Sequence, residues 1–205
     1  MYPFRSPRFL SWFYPKRTWG FSSTENTVYL TFDDGPDPEA TSWVLDFLKT
    51  EGIRATFFCV GSNVIGNPDV YQRILAEGHS VGNHTMNHEN GFQSSVEKYI
   101  ASVDDCSQLV KTNLFRPPYG RMTKPQEKFL SEYKIIMWSW LSYDFSAKVT
   151  AKKIIERAEQ QICAGDILVF HDNAKTMKRL QEILPPVIES IRRKGLSFSQ
   201  IAMKN

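Results

Sequence analysis

The chain alternates between short apolar runs and longer segments in which apolar residues recur every three or four positions. The short runs predict strands at residues 28–32, 55–60, a stretch beginning at 79, 114–116, 134–140, 167–170 and 196–202. The helical periodicity covers residues 43–52, 68–77, 96–110, 124–131, 154–162 and 180–191. We expect the last helix to kink or restart at Pro185-Pro186, because prolines remove backbone donors. Strands that alternate with helices predict a parallel sheet and an α/β fold.

The composition fits one globular domain and excludes several classes of protein. The 205 residues allow one large core, and 41% hydrophobic with 23% charged residues is ordinary for such a domain. A net charge of +3 is too small to predict nucleic acid as a partner. No apolar run approaches the roughly 20 residues of a transmembrane helix. Cys59, Cys106 and Cys163 are widely spaced, which indicates neither a disulfide framework nor a zinc ribbon.

Residues 1–26 differ in composition from the rest of the chain. Arg5, Arg8, Lys16 and Arg17 precede the first acidic residue and are interspersed with aromatic residues. We expect an arm packed on one end of the domain, with a weak peripheral contact to anionic lipid or an anionic polymer as the alternative. Prolines and charges interrupt every apolar run in the arm, so no signal peptide is predicted and a cytoplasmic location is expected.

Polar side chains with chemical potential follow the predicted strands directly. In chain order they are Asp33, Asp34, His84, His88, Arg116, Asp144 and His171. Each motif alone is also typical of a turn or of a structural histidine, but together they are an improbable coincidence. Reactive residues of an α/β barrel gather where its strands end, so this distribution favours a small barrel over an open doubly wound sheet.

The segment "HTMNH" and the adjacent aspartates together indicate a metal site. His84 and His88 are four residues apart, so one helical turn would bring both imidazoles to one face. A nearby carboxylate completes a His-His-carboxylate set that suits a divalent metal. Asp33 and Asp34 are costly to bury unpaired, and adjacent strand side chains point in different directions. We therefore expect a metal to compensate one aspartate and an arginine to compensate the other.

With "TFDDGP", "HTMNH", "RPPYG" and "ILVFHD" in this order, the sequence resembles the polysaccharide deacetylases of the NodB-homology type, carbohydrate esterase family 4. The resemblance runs from about residue 28 to the last strand. It implies a distorted (β/α)7–8 barrel as a single catalytic domain over residues 27–205, preceded by the arm. It also implies metal-dependent removal of acetyl groups from N-acetylated sugars.

The resemblance also implies a role for each motif residue. Asp34, His84 and His88 match the metal ligands, usually for zinc, with Co²⁺ or Ni²⁺ as other candidates. Asp33 matches the general base, Arg116 the residue that orients this base, and Tyr119 the residue whose backbone N–H stabilises the oxyanion. His171 matches the general acid that protonates the leaving amine, and Asp144 its supporting carboxylate.

Four residues are expected to bind the substrate: Pro118, Tyr119, Phe145 and Val169. Val169 shares a strand face with Ile167 and His171, which would place it at the wall of the acetyl pocket. One segment departs from the family pattern: where many members read Asp-x-x-Asp-Trp, this chain has Leu141 and Phe145 in the first and last positions. The catalytic set stays intact, while the shape of the acyl pocket is altered.

The sequence therefore predicts a zinc-dependent deacetylase that acts on a glycan or oligosaccharide containing N-acetylglucosamine. An O-acetyl esterase of the xylan type is a close alternative, since the same groups hydrolyse esters. A metal- and sugar-binding relative without turnover is a second alternative, although binding alone would not require Asp33 and His171. A two-metal phosphoesterase is disfavoured, because four histidines leave few further ligands.

Overall fold

In the computed structural model, which describes residues 2–7 and 9–202, the strands form one sheet whose ladders are all parallel. The strands are β1 Arg17–Thr18, β2 Thr27–Asp33, β3 Thr56–Cys59, β4 Ser80–Asn83, β5 Leu114–Phe115, β6 Lys134–Ile136, β7 Trp140–Leu141, β8 Ile167–His171 and β9 Ser197–Ser199. They follow the order β1-β6-β5-β4-β3-β2-β8-β7, and β9 also pairs with β2. The predicted α/β class and parallel sheet are confirmed.

Helices connect most of the successive strands. They are α1 Phe9–Phe13, α2 Ala40–Glu51, α3 Gly61–Gly66, α4 Pro68–Ala76, α5 Val96–Leu109, α6 Lys124–Phe129, α7 Ala151–Gln161 and α8 Met177–Arg193, with a 3₁₀ turn at Pro118–Gly120. The helix does not restart at the prolines, since α8 is one helix across Pro185 and Pro186, and a kink there stays a prediction. Its apolar stripe is buried on both sides of the prolines, at Leu184 and Val187 among others, and this packing holds the helix together where two backbone donors are missing.

The connection between β6 and β7 shows that the sheet must curl. Only residues 137–139 separate these strands in the chain, but they lie six strand spacings apart along the sheet. A flat sheet would place them about 29 Å apart. Four residue steps reach at most about 14 Å. The two ends of the sheet therefore approach each other, which gives the barrel-like architecture that the sequence predicts.

The N-terminal segment lies along the seam between β6 and β7. Phe4 O accepts a hydrogen bond from Leu141 N at 2.8 Å, and Ser6 N donates to Ser139 O at 2.9 Å. The Phe4 side chain is 2% exposed and its ring centroid lies 5.9 Å from that of Trp140. The segment then pairs with β6 through β1, a strand that the sequence did not predict. The boundary of the arm at residue 26 stays a prediction.

The exposed part of the arm is α1. Phe9, Trp12 and Phe13 are 57%, 83% and 68% exposed, and the helix buries no residue. Arg8, one of the four basic residues of the arm, lies outside the described residues. Contact of this segment with an anionic surface stays a prediction. None of the described helices is long and apolar enough to span a bilayer.

The predicted strand at 134–140 is two strands, which is a correction with a physical cause. At the break, the carbonyl groups of Ile136, the last residue of β6, and of Met137 accept hydrogen bonds from the Arg116 side chain at 3.2 and 3.1 Å. These carbonyl groups bond to a side chain at the place where a continuous strand would bond to its neighbour. Apolar patterning cannot reveal such an interruption.

Alternate residues of β2 and β8 face opposite sides of the sheet, and both sides are buried over most of their length. Leu30, Phe32 and Phe170 belong to the core between the sheet and its helices, and each is fully buried. Ile167 belongs to a separate cluster that also contains Phe58 of β3. The apolar side chains thus fill both sides of the sheet, and the polar side chains lie at the carboxyl ends of the strands.

Candidate active site

Most of the polar residues that follow the strands line one cleft of about 830 Å³ at the barrel mouth, while Arg116 and Asp144 are buried behind it. Asp33 and His171 are register partners in the parallel ladder of β2 and β8. Partners in a ladder project to the same face of a sheet, so both side chains enter the cleft. Asp34, His84 and His88 line it as well.

A left-handed turn places Asp34 beside the end of β2. Asp34 has φ 85°, a value that is costly for a residue other than glycine. Hydrogen bonds fix the turn: Asn63 Nδ2 donates to Asp34 O at 2.7 Å, and Gly35 N donates to the buried Asp172 Oδ1 at 3.1 Å. Residue 35 must be glycine here, since a Cβ would lie 2.2 Å from Asp172 Oδ2.

The two histidines are brought together by a loop, so the predicted helical turn is wrong. Residues 84–88 are not helical, and Thr85 and His88 adopt φ 65° and 58°. The imidazole rings nevertheless lie 5.1 Å apart between centroids. His-x-x-x-His spacing predicted the proximity correctly and the local structure incorrectly.

Both histidines are hydrogen-bonded at Nδ1, and the partner of His84 selects its tautomer. His84 Nδ1 lies 2.7 Å from Arg116 O, and His88 Nδ1 lies 3.1 Å from the Tyr119 hydroxyl. A carbonyl oxygen can only accept, so His84 carries its proton on Nδ1 and keeps a lone pair on Nε2. Burial is the main cause that lowers the pKa of His84 to about 4, which keeps this imidazole neutral.

The arrangement around Asp34 fits a divalent cation. The Nε2 atoms of His84 and His88 lie 3.7 and 3.1 Å from Asp34 Oδ1, and the three donor atoms lie within 4.8 Å of one another. Asp34 Oδ1 is buried, and its nearest polar neighbours among the described residues are these two imidazole nitrogens. Burial alone would raise the pKa of Asp34, but the His88 hydrogen bond and the nearby His171 and His84 lower it below its ordinary value. A buried, ionised carboxylate oxygen beside two imidazole nitrogens is the donor set of a His-His-carboxylate metal site.

Asp33 pairs with a buried arginine instead of facing the histidines. Arg116 is fully buried, and its Nη1 contacts Asp33 Oδ1 at 2.5 Å and Thr31 Oγ1 at 2.7 Å. The guanidinium also lies 4.0 Å from the centroid of the Phe58 ring. Every face of Arg116 is therefore engaged, and its charge is directed at one carboxylate. The predicted pairing of one aspartate with an arginine is thus observed at Asp33, and the metal expected at Asp34 stays a prediction.

His171 is held by both oxygens of Asp144. His171 Nδ1 lies 2.7 Å from Asp144 Oδ1, and the His171 backbone N donates to Oδ2 at 2.8 Å. Burial opposes a charged imidazole, but the charge and hydrogen bond of Asp144 outweigh it and raise the pKa of His171 to about 9. With Nδ1 engaged, Nε2 is the nitrogen that can exchange a proton in the cleft.

The predicted substrate-binding residues divide into three that line the cleft and one that does not. Val169, Tyr119 and Phe145 line it, and Phe145 packs its ring 5.0 Å from that of His171. Pro118 is buried within the 3₁₀ turn, and Pro117 lines the cleft in its place. The geometry therefore gives no support to a substrate contact by Pro118.

Leu141 also lines the cleft. It occupies the first position of the segment in which this chain departs from the family pattern. Tyr119 adopts φ 60°, so the Pro118–Gly120 turn is irregular at this residue.

Sequence reasoning missed Asn173, which completes the surroundings of Asp34. Asn173 Nδ2 donates to Asp34 Oδ2 at 2.9 Å, and Asn173 Oδ1 accepts from Lys175 N at 3.0 Å. The second bond orients the amide, so that its NH₂ group faces the carboxylate. Asn173 thus binds Oδ2 of Asp34, and Oδ1 faces the two histidines. An asparagine in a polar loop carries no sequence signal for this role.

Comparison with known proteins identifies the family. The polysaccharide deacetylase family model matches residues 22–138. A peptidoglycan-N-acetylglucosamine deacetylase of Bacillus cereus is 32% identical over 193 residues, which cover 90% of this chain and 91% of that protein. A chitooligosaccharide deacetylase of a Bradyrhizobium strain is 33% identical over 175 residues, covering 80% and 78% of the two chains.

Solved structures agree with this fold. The crystal structure of a peptidoglycan N-acetylglucosamine deacetylase in complex with an N-hydroxybenzamide derivative superposes with a TM-score of 0.87 at 28% identity, covering 96% of this chain and 95% of that one. A pseudoenzyme of carbohydrate esterase family 4 from Bacillus anthracis shares the fold, with a TM-score of 0.78, 22% identity and coverage of 89% and 66%. The family match spans more than half of the chain and the B. cereus relative aligns with nearly all of it, so this chain belongs to the polysaccharide deacetylase family.

Proposed function

We propose that this protein is a metal-dependent hydrolase that removes N-acetyl groups from glycans or oligosaccharides containing N-acetylglucosamine. The observation that carries the proposal is a carboxylate and a charged imidazole that enter the same cleft from neighbouring strands. Asp33 is held against Arg116, and its ladder partner His171 is held as a cation by Asp144. Amide hydrolysis requires a base and an acid at the same time.

Asp34, His84 and His88 would hold the metal, for which Zn²⁺, Co²⁺ and Ni²⁺ are the candidates. When bound, such an ion makes water nucleophilic near neutral pH and polarises the carbonyl oxygen of the acetyl group. Asn173 supports the carboxylate ligand through its second oxygen.

The remaining groups supply proton transfer and substrate contacts. Asp33 would accept the proton of the attacking water, with Arg116 fixing its orientation. His171 would deliver a proton from Nε2 to the departing nitrogen, which cannot leave as an anion. The Tyr119 backbone N–H would stabilise the developing oxyanion. Val169 and Phe145 would enclose the acetyl methyl group, with Leu141 in place of the family's first aspartate.

The high pKa of His171 favours an amide over an ester as the substrate. An alcohol leaves an ester with less protonation than an amine requires, so an acid that stays charged to about pH 9 is more useful for N-deacetylation. The relatives named above likewise act on N-acetylglucosamine or chitooligosaccharides. The O-acetyl esterase remains the second candidate.

The test is an acetate-release screen with chitin oligomers, peptidoglycan and acetylated xylan, before and after chelation and with zinc added back. We expect metal-dependent release from the N-acetylated glycans, and loss of release in Asp33→Asn and His171→Ala. Glycan binding that persists in both variants, with no hydrolysis by the parent, would instead identify a sugar-binding relative. Faster release from acetylxylan than from chitin oligomers would favour the esterase. A cytoplasmic location remains a proposal, which cell fractionation tests.

A further inference from the structure

Two cations line the cleft without any role in the scheme above. Arg121 and Lys175 are both exposed. Within the described chain, neither side chain forms an ion pair or a hydrogen bond. Because unpaired surface cations are common, their position relative to the reacting groups decides whether they matter.

The sheet order places the two cations on opposite sides of the reacting groups. Arg121 lies in the loop after β5 and Lys175 in the loop after β8. In the sheet, β4, β3 and β2 lie between those strands, and β2 and β4 carry the candidate metal ligands Asp34 and His84 at their ends. A sugar bound over the metal site would therefore have one cation on each side.

Both cations belong to loops that are tied to the site. Arg121 N donates to Pro118 O at 3.0 Å, and Gly91 allows close approach to Arg121, since a Cβ at residue 91 would lie 2.5 Å from Arg121 O. Lys175 N donates to Asn173 Oδ1, the amide that also contacts Asp34. The backbone of each cation is thus fixed relative to the reacting groups.

The charges that line the cleft leave a positive excess. Asp33 is paired with Arg116 and His171 with Asp144, while Asp34 faces the metal that the proposed function places there. Among the described residues that line the cleft, these two aspartates are the only carboxylates. With that metal in place, Arg121 and Lys175 are the cleft cations without a partner among the described residues, and they attract an anionic ligand.

On the basis of the proposed function, we propose that Arg121 and Lys175 form two anion subsites that flank the reacting sugar. The preferred substrate is then a glycan in which acidic units adjoin the N-acetylglucosamine that loses its acetyl group. A carboxylate or a phosphate on the neighbouring unit supplies the same chemistry. A neutral chitin oligomer lacks it.

The experiment compares three ligands of equal length: an N-acetylglucosamine tetramer, a tetramer that alternates N-acetylglucosamine with N-acetylmuramic acid, and a phosphorylated N-acetylglucosamine tetramer. Dissociation constants are measured by calorimetry on zinc-loaded Asp33→Asn protein, and kcat/KM for acetate release is measured on the parent. Arg121→Gln, Lys175→Gln and the double variant are tested in both backgrounds. Lys128→Gln, which removes an exposed cation outside the cleft, is the matched control.

We expect the parent to prefer an acidic tetramer over the neutral one. Each cleft variant should reduce that preference about two- to fivefold, and the double variant by roughly the product. The preference should shrink when salt is raised to about 0.5 M, because exposed charges are screened. The tighter of the two acidic ligands identifies carboxylate or phosphate as the recognised group.

Equal affinity of the parent for all three ligands, or the same preference in the cleft variants and in Lys128→Gln, overturns the inference. This failure is distinct from failure of the proposed function. Acetate release without any acidic preference contradicts only the subsites. An acidic preference in binding without acetate release contradicts only the hydrolase.

Discussion

The contact between His171 and Asp144 gives the most quantitative prediction. Asp144 Oδ1 accepts from His171 Nδ1 and from Phe145 N at 3.0 Å, while Oδ2 accepts from His171 N. Asp144→Asn removes the negative charge and one of the two acceptor oxygens while nearly preserving volume. The variant therefore tests electrostatics and hydrogen bonding with little change in packing.

The size of the effect follows from the pKa of His171. A rise in this pKa from its ordinary 6.5 to about 9 favours the imidazolium by about 3 kcal/mol. At pH 8 a group with a pKa of about 9 is about 90% protonated, whereas one with a pKa of 6.5 is about 3% protonated. If His171 is the acid, Asp144→Asn should lower activity at pH 8 roughly thirtyfold, and less at pH 6, where both forms are largely charged.

The assay is kcat/KM for acetate release from an N-acetylglucosamine tetramer between about pH 5.5 and pH 10. A bound metal repels the imidazolium and moves the alkaline limb of the pH profile to lower pH in both proteins. The test is therefore the difference in the pH of this limb between the parent and Asp144→Asn. NMR titration of the His171 ring gives an independent readout, since the chain has four histidines. Asp105→Asn, at an exposed position, is the charge-matched control. An alkaline limb at the same pH in Asp144→Asn and in the parent refutes the reasoning.

Three further predictions concern metal affinity and stability. Asn173→Ala should weaken zinc binding about 10- to 100-fold in a chelator competition, because Asp34 Oδ2 loses its donor; an affinity equal to that of the exposed control Asn26→Ala contradicts this. Arg116→Leu should lower the free energy of unfolding by about 3–5 kcal/mol in urea, because Asp33 is left buried and unpaired; a loss below about 1 kcal/mol contradicts it. Phe4→Ala should cost about 3–5 kcal/mol in the same assay if the arm is integral to the seam, whereas a loosely attached arm would lose far less.

The sequence predicted the barrel-like fold well, because periodicity and the order of strands and helices are local signals. The prediction of residues that gather at strand ends was equally successful, since parallel strands bring their carboxyl ends to one edge. The pairing of Asp33 with an arginine followed from strand alternation and charge. None of these inferences required knowledge of a long-range contact.

The errors arose where a distant group changes local structure. Arg116 takes the carbonyl groups of Ile136 and Met137 and divides a strand that looks continuous in the sequence. The loop at His88 reaches the site through left-handed residues, which His-x-x-x-His spacing does not reveal. Asn173 was missed because its partner Asp34 is 139 residues away in the chain. Such contacts depend on the assembled barrel, so residue spacing cannot predict them.

The central claim is that adjacent aspartates have different tasks, with Asp34 as a ligand and Asp33 as the base. Its most direct test is to measure zinc content and acetate release together for the parent, Asp33→Asn and Asp34→Asn, with circular dichroism as the control for folding. We predict that the parent holds zinc and releases acetate from an N-acetylglucosamine tetramer. Asp33→Asn should retain zinc and release almost no acetate, whereas Asp34→Asn should lose zinc. Equal loss of zinc from both folded variants, or a zinc-loaded parent that releases no acetate from any N-acetylated glycan, would contradict the account.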